Sequence, residues 1–281
     1  MITKTEKIIM CRKAAFQMRK DALSMALLSG SNGSHLGGGL SIIEIMAVLY
    51  CGIMNIRPED PRWKDRDIFI LSKGHATLGY YTALKAAKII SEEQLFKFEQ
   101  NGGLLPGQPS LNLDLGIEYS SGTLGLGLSY GIGLAIVSKK MNKASKVFVL
   151  LGDGECNEGS IWEAAMSATH FNLSNLTVII DCNSLQSDGK THDILDLQLE
   201  NMWKGFGWEV VIVNDGHDIT QLFDSFTLPI IEGKPRVIIA NTIKGKGVSF
   251  MEYNNEWHHN RLSKELFDEA IKEIFKKEAL L

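Results

Sequence analysis

The sequence is poor in cysteine, and its four cysteines, Cys11, Cys51, Cys156 and Cys182, are scattered singly. They show no CxxC pair and no zinc-type spacing, so they read as free thiols in a reducing, cytoplasmic setting. No apolar run reaches membrane-spanning length. The opening stretch, MITKTEKIIMCRKAAFQMRK, is too charged for a secretory leader. An excess of either charge is also missing. The formal net charge is −4 with the signs interspersed, which speaks against a nucleic-acid or anionic-membrane partner. Repeats, low-complexity tracts and internal linkers are absent. Glycine, by contrast, is plentiful: 27 residues, clustered in loops, as a site built from backbone requires.

At 281 residues, 44% of them apolar and 22% charged, the chain can bury a large core. Residues 5–29 read as an amphipathic helix with Ile8, Ala15, Met18, Ala22 and Ala26 on one stripe. Ser41 reads as an N-cap, with Glu44 completing a capping box before 45–49. Short β-rich runs at 67–71, 146–151, 176–181, 208–213 and 236–241 alternate with helical patterns. Those helices fall at 76–88, 129–141, 161–171, 196–206, 219–231 and 263–277. A short helix starts at Ser91. Residues 101–128 form a Gly-, Pro- and Ser-rich stretch without periodicity, longer than an ordinary connection and so expected to be functional. The alternation predicts an α/β fold over 1–281: one doubly wound, mostly parallel sheet with helices on both faces.

The centre of the pattern is KVFVLLGDGECNEGSIWEAAMSATHFNLSNLTVIIDCNSLQSDG, residues 146–189. Two strand-length runs bracket one helix, which makes a βαβ unit with parallel, neighbouring strands. Asp153 and Asn183 then lie just past the carboxyl ends of those strands, the edge where open α/β sheets bind ligands. One carboxylate, one amide oxygen and the carbonyl of Leu185 make a partial magnesium shell, completed elsewhere by phosphate and water. The plainer reading is a tight Gly-Asp-Gly turn and a strand-end cap.

The spacing decides between them. A GDG followed 30 positions after its Asp by an Asn at the next strand end resembles the thiamine-diphosphate-binding motif. GSHLGGGLS (33–41), SKGHATLGYY (72–81), LPGQPS (105–110), SSGTLGLGLS (120–129), GDGECNEGSIWEA (152–164), DCNSLQSDG (181–189) and TIKGKGVSFMEYNNEWHHN (242–260) look like transketolase blocks, in the same order. The chain is therefore identified as resembling the diphosphate-binding, N-terminal part of a transketolase.

That resemblance implies thiamine diphosphate and Mg²⁺, with Ca²⁺ or Mn²⁺ as substitutes. It implies Asp153, Asn183 and Leu185 as metal ligands. Gly152, Gly154 and Glu155 would lie beside the diphosphate, and Gly122 and Leu124 near the aminopyrimidine. Of the histidines in glycine-rich loops, His75 would meet the diphosphate, while His35 and His258 face the substrate. Histidines suit proton transfer to sugar hydroxyls near neutral pH. His259 stands where the family often has glycine. His170, His192 and His217 read as surface or satisfied core residues. Gln108 replaces a histidine that contacts the donor's first carbons; it can share hydrogen bonds but carry no proton charge. Glu158 and Glu163 fall near the family's dimer interface.

The reaction implied is transfer of a two-carbon ketol from a ketose phosphate to an aldose. The family's essential glutamate on the pyrimidine N1′ belongs to a second domain with no counterpart here. The expectation is a partner chain carrying that pyrimidine-binding domain, in an α2β2 heterotetramer. The alternatives are a decarboxylating synthase of the deoxyxylulose-phosphate type and a silent, cofactor-binding regulatory subunit.

Overall fold

The computed structural model describes residues 2–278. In chain order the strands are β1 (Ile68–Leu71), β2 (Val147–Gly152), β3 (Leu176–Cys182), β4 (Leu185–Gln186), β5 (Gly189–Lys190), β6 (Glu209–Val213) and β7 (Arg236–Asn241). Five of them form one sheet in the order β1-β2-β3-β7-β6, and every pair is parallel. A parallel sheet is covered on both faces, so its strands are apolar at successive residues rather than alternate ones. Val147 to Leu151 are all buried for that reason. Side chains still alternate across the strand. Phe148 and Leu150 enter one core layer, and Val147, Val149 and Leu151 enter the other.

The helices supply those layers. They are α1 (Lys4–Leu28), α2 (Leu36–Leu40), α3 (Ile43–Val48), α4 (Thr77–Ala86), α5 (Glu92–Leu95), α6 (Gly127–Lys140), α7 (Gly159–His170), α8 (Thr191–Ile194), α9 (Leu199–Gly205), α10 (Ile219–Thr227) and α11 (Lys264–Glu278). α1, α3, α4 and α10 pack into the first layer with Met18, Ile45, Tyr81 and Leu222. α6, α7 and α9 pack into the second with Ile132, Ile161 and Trp203. Gly39 of α2 and Gly79 of α4 permit a close crossing of the two helices: a Cβ on Gly39 would lie 2.9 Å from the Leu78 Cβ, and one on Gly79 2.6 Å from the Gly39 carbonyl oxygen.

The fold is the expected doubly wound α/β sheet, with local departures. Ser41 does not N-cap the following helix; it is the C-cap of α2. Its hydroxyl instead donates to Asp181 at 2.6 Å and to the Gly38 carbonyl at 3.0 Å, and α3 has no side-chain cap. A buried carboxylate is a stronger acceptor than the first-turn amides offer as donors. Glu44 likewise turns away from a capping box and binds Arg19 and His217. The helix expected over 196–206 is confined to α9, and a separate short helix, α8, precedes it, ended by Leu195, which is extended at φ −153° and ψ 102°. α10 stops at Thr227, since Leu228 precedes a proline and takes ψ 143°. The β4–β5 hairpin, two residues per strand, was not expected. Among the described residues no helix is long and apolar enough to cross a membrane.

Candidate cofactor site

Register builds the site. Gly152 at the end of β2 pairs with Asp181 in β3, so Asp153 and Asn183 leave the carboxyl edge side by side. The chain after β3 folds back over Asp153, whose Oδ2 accepts from the Ser184 amide at 2.6 Å. Ser184 holds the left-handed conformation, φ 62°, which for a non-glycine residue is strain of the kind found at functional turns. That turn brings the Leu185 carbonyl to the same place. Asn183 donates its amide to Asp181 at 2.8 Å, and its Oδ1 accepts from the Leu185 amide at 3.1 Å, which fixes the side chain at the border of the cavity.

These groups border a cavity of about 310 Å³ that also receives Gly38, His75, Leu124, Glu158 and His258. Two lysines enter it, and their situations differ. Lys73 forms a buried ion pair with Asp181. Asp181 also accepts from Ser41, Thr242 and Asn183. Burial pushes the Asp181 carboxyl up, but Lys73 and the two hydroxyls outweigh it and hold it below the ordinary value. Lys244 is 2% exposed and has no carboxylate within ion-pair distance among the described residues. Its ammonium meets Asn255 Oδ1 and His258 Nδ1 at 3.0 Å and the Leu185 carbonyl at 3.4 Å. Burial first, and the Lys73 charge second, push it down to about 8. Asp153 is the opposite case: burial, then the Asp181 charge, raise it to about 6.

The cavity therefore faces one carboxylate in want of a cation and one ammonium in want of an anion. A divalent cation with a diphosphate fits both, and the donor set of carboxylate, amide and carbonyl oxygens suits magnesium. No cluster of three His, Cys, Asp or Glu side chains that could hold a metal occurs among the described residues, and none is needed for such a shell.

His35, His75 and His258 converge. Ring centroids lie 5.1 Å apart for His35 and His75, 5.4 Å for His35 and His258, and 5.2 Å for His75 and His258. Burial is the main cause that brings His35 and His258 down to about 4, helped by their imidazole and lysine neighbours. His75 lies well below the usual range for the same reason. All three are neutral at physiological pH and can exchange hydrogen bonds in either sense.

The other expected residues are distributed around this cluster. Leu124 borders the cavity, while Gly122 lies away from it, against the Gln108 side chain. Glu158 lies at its edge and Glu163 is exposed further along α7. The amide of Gly154 is taken by Asp153 Oδ1 at 2.9 Å. Glu155, expected beside the diphosphate, also has a side-chain role in the structure. Its side chain is buried and accepts from Ser72 at 2.5 Å, Gly125 at 2.9 Å and Gly152 at 3.0 Å. It ties the SGTLGLG loop to the GDG turn. His217 is a satisfied core residue, between Glu44 and the Ile243 amide. Sequence reasoning passed over Lys73, Asp181 and Lys244. The lysines stand inside glycine-rich blocks already singled out, SKGH and TIKGKG, and that was the available signal.

A parallel sheet with paired hard oxygens and an uncompensated ammonium at its carboxyl edge defines a metal- and diphosphate-binding α/β protein. The transketolase, thiamine diphosphate binding domain family matches residues 12–277. One subunit of the apulose-4-phosphate transketolase of Phocaeicola vulgatus is 40% identical over 247 residues, 87% of each chain. The 6-deoxy-6-sulfo-D-fructose transketolase subunit SqwG of Clostridium sp. is 38% identical, covering 87% of this chain and 90% of that one. Among solved structures, the transketolase from Leishmania mexicana superposes with a TM-score of 0.87 at 28% identity. The match covers 94% of this chain but 41% of that one. The chain belongs to the transketolase family, and its matched region is the family's thiamine diphosphate-binding domain.

Proposed function

We propose that the chain is the cofactor-binding subunit of a two-chain transketolase, folded as one domain over 1–281 and working in the cytoplasm. The observation that carries this reading is the pair of opposite, unmatched charges, Asp153 and Lys244, facing one cavity beside three neutral histidines. Asp153, Asn183 and the Leu185 carbonyl would hold the magnesium ion. Lys244 and His75 would hold diphosphate oxygens, with Gly152 and Gly154 leaving room for close approach. Thiamine diphosphate, when bound, supplies the carbanion chemistry that cleaves a ketose beside its carbonyl and carries the two-carbon ketol to an aldose.

The chain's own residues do the rest. Neutral His258 and His35 stand where substrate hydroxyls would arrive and can take or return their protons. Gln108 orients the donor through hydrogen bonds alone. The apulose-4-phosphate relative is named as one lettered subunit of its enzyme, which supports a partner carrying the pyrimidine-binding domain and its glutamate. An α2β2 assembly acting on sugar phosphates follows from that reading. One exposed face supports an interface: Tyr130 and Val137 on α6 and the residues that cap its two ends, Leu126 and Met141, lie at helical spacing, and Met166 is exposed on α7 near Glu163. Glu158 and Glu163 would lie where two copies of the chain meet.

The test has two arms. In calorimetry, Asp153→Ala should lose Mg²⁺-dependent thiamine diphosphate binding while its circular dichroism stays unchanged. Co-expression with the partner should give ketol transfer from a ketose phosphate that the chain alone lacks. Unchanged cofactor affinity, or a preference for pyruvate as donor, would overturn the proposal.

A further inference from the structure

A second cavity, of about 290 Å³, lies beside His35. Ser34, His35, Phe98, Glu99, Gln108 and His259 border it. It is continuous with the histidine cluster, because His259 lies 4.5 Å from His35 between ring centroids. An isolated bridge between Ser34 and Asn260 ties the two loops together.

Its polar lining is not satisfied. Ser34 Oγ and Glu99 Oε2 are buried atoms without a hydrogen-bond partner among the described residues. Buried polar atoms are nearly always paired, so two orphans on one wall point to a ligand that supplies the missing groups. Glu99 is the unusual member. Burial raises its carboxyl above the ordinary value, and the neighbouring His259 pulls the other way. No Lys or Arg among the described residues forms an ion pair with it; Lys97, two residues away, pairs with Glu93 instead. Its backbone is left-handed, φ 53°, held by the Glu99 amide bonding to the Leu105 carbonyl at 3.0 Å. A Cβ on Gly107 would collide with Glu99 Oε1. The glycine of LPGQP therefore leaves the space that the carboxylate fills, beside Gln108. A strained residue with an unpaired acid in a polar cavity is a built feature rather than a packing accident.

We infer that Glu99, with Ser34 and Gln108, forms a subsite that reads the hydroxyl groups of a neutral, polyhydroxylated carbon chain. The carboxylate accepts from substrate hydroxyls, Ser34 and Gln108 donate or accept, and an anionic group is kept out by like charge. This deepens the ketol-transfer reading and rests on it: the phosphate or other anionic end of the substrate lies away from this wall.

The experiment uses the assembled enzyme with glyceraldehyde and propanal as acceptors, which differ only in hydroxyl groups. Glu99→Ala should lower the ratio of kcat/KM for glyceraldehyde over propanal by roughly tenfold, and Glu99→Gln by less, as expected when a site built to bond a hydroxyl loses its partner. A melting curve checks the fold of each variant. A second arm needs no catalysis. With Mg²⁺ and thiamine diphosphate added to fill the cofactor cavity, erythritol should shift the His259 ring signal in NMR spectra of the wild-type chain, inorganic phosphate should not, and Glu99→Ala should lose the erythritol response. An unchanged acceptor ratio with an unchanged erythritol response overturns the subsite. An erythritol response lost in Glu99→Ala, in an enzyme with no ketol transfer, upholds the subsite and sinks the transferase reading instead.

Discussion

Glu44 should set the acid limit of the fold. Its side chain is 10% exposed and lies between Arg19, at 2.7 Å, and His217, at 2.8 Å. Burial alone would raise its carboxyl, but the Arg19 guanidinium first and the His217 ring second bring it down to about 2 from an ordinary 4.5. That difference corresponds to roughly 3 kcal/mol of stability. The direction follows from linkage. A depressed folded-state pKa stabilises fully above about 4.5, and the contribution is lost as pH falls toward about 2. Glu44→Gln keeps the shape and removes the charge, leaving Arg19 buried without its counter-ion. Guanidinium unfolding at neutral pH should show the variant roughly 3 kcal/mol less stable, near the lower end for breaking a buried ion pair. The two proteins should converge as pH approaches about 2. Other titrating groups cancel in the difference. Curves that stay parallel throughout the acid range would refute the assignment. The consequence reaches the cofactor site, because His217 accepts the Ile243 amide at 2.8 Å just before Lys244.

Two further predictions concern the histidine cluster and its neighbour. His75→Ala should weaken thiamine diphosphate affinity more than His258→Ala does, while His258→Ala should mainly lower kcat; titrations and saturated-cofactor kinetics on the assembled enzyme separate the two, and wild-type behaviour in both would make these histidines structural. Gln108→His should raise activity on common ketose phosphates relative to the native donor, and an unchanged donor ranking would remove the position from the specificity determinants.

The sheet was legible because its strands are buried on both faces and so appear as unbroken apolar runs, bracketed by glycine. Asp153 and Asn183 were legible because register fixes which residues reach adjacent strand tips. Asp181 was not. Its partners Ser41, Lys73 and Thr242 lie 140, 108 and 61 residues away in sequence, and no local pattern reports such convergence. The same fact undid the expected Ser41 cap, where a local motif competed with a buried acceptor. Glu99 stands in the turn region after the short helix α5, and its place beside the second cavity depends on a left-handed backbone and a facing glycine.

The charges of the site form a closed set that specifies its occupant. Three carboxylates, Asp153, Glu155 and Asp181, and two lysines, Lys73 and Lys244, are buried together. Asp181 is matched by Lys73. Glu155 is satisfied by neutral donors. What remains is an anion on one side of the cavity and a cation on the other. Metal alone would leave Lys244 unmatched, and diphosphate alone would face Asp153 across a short, poorly screened distance. Metal and diphosphate should therefore favour each other's binding, by roughly tenfold or more. Asp153→Asn tests the origin of that coupling, because it retains an oxygen and removes the charge. Pyrophosphate titrated calorimetrically in chelator should bind the variant more tightly than the wild type. With Mg²⁺ present the order should reverse. If Mg²⁺ tightens pyrophosphate binding by the same factor in both proteins, the coupling does not pass through Asp153, and the metal lies elsewhere.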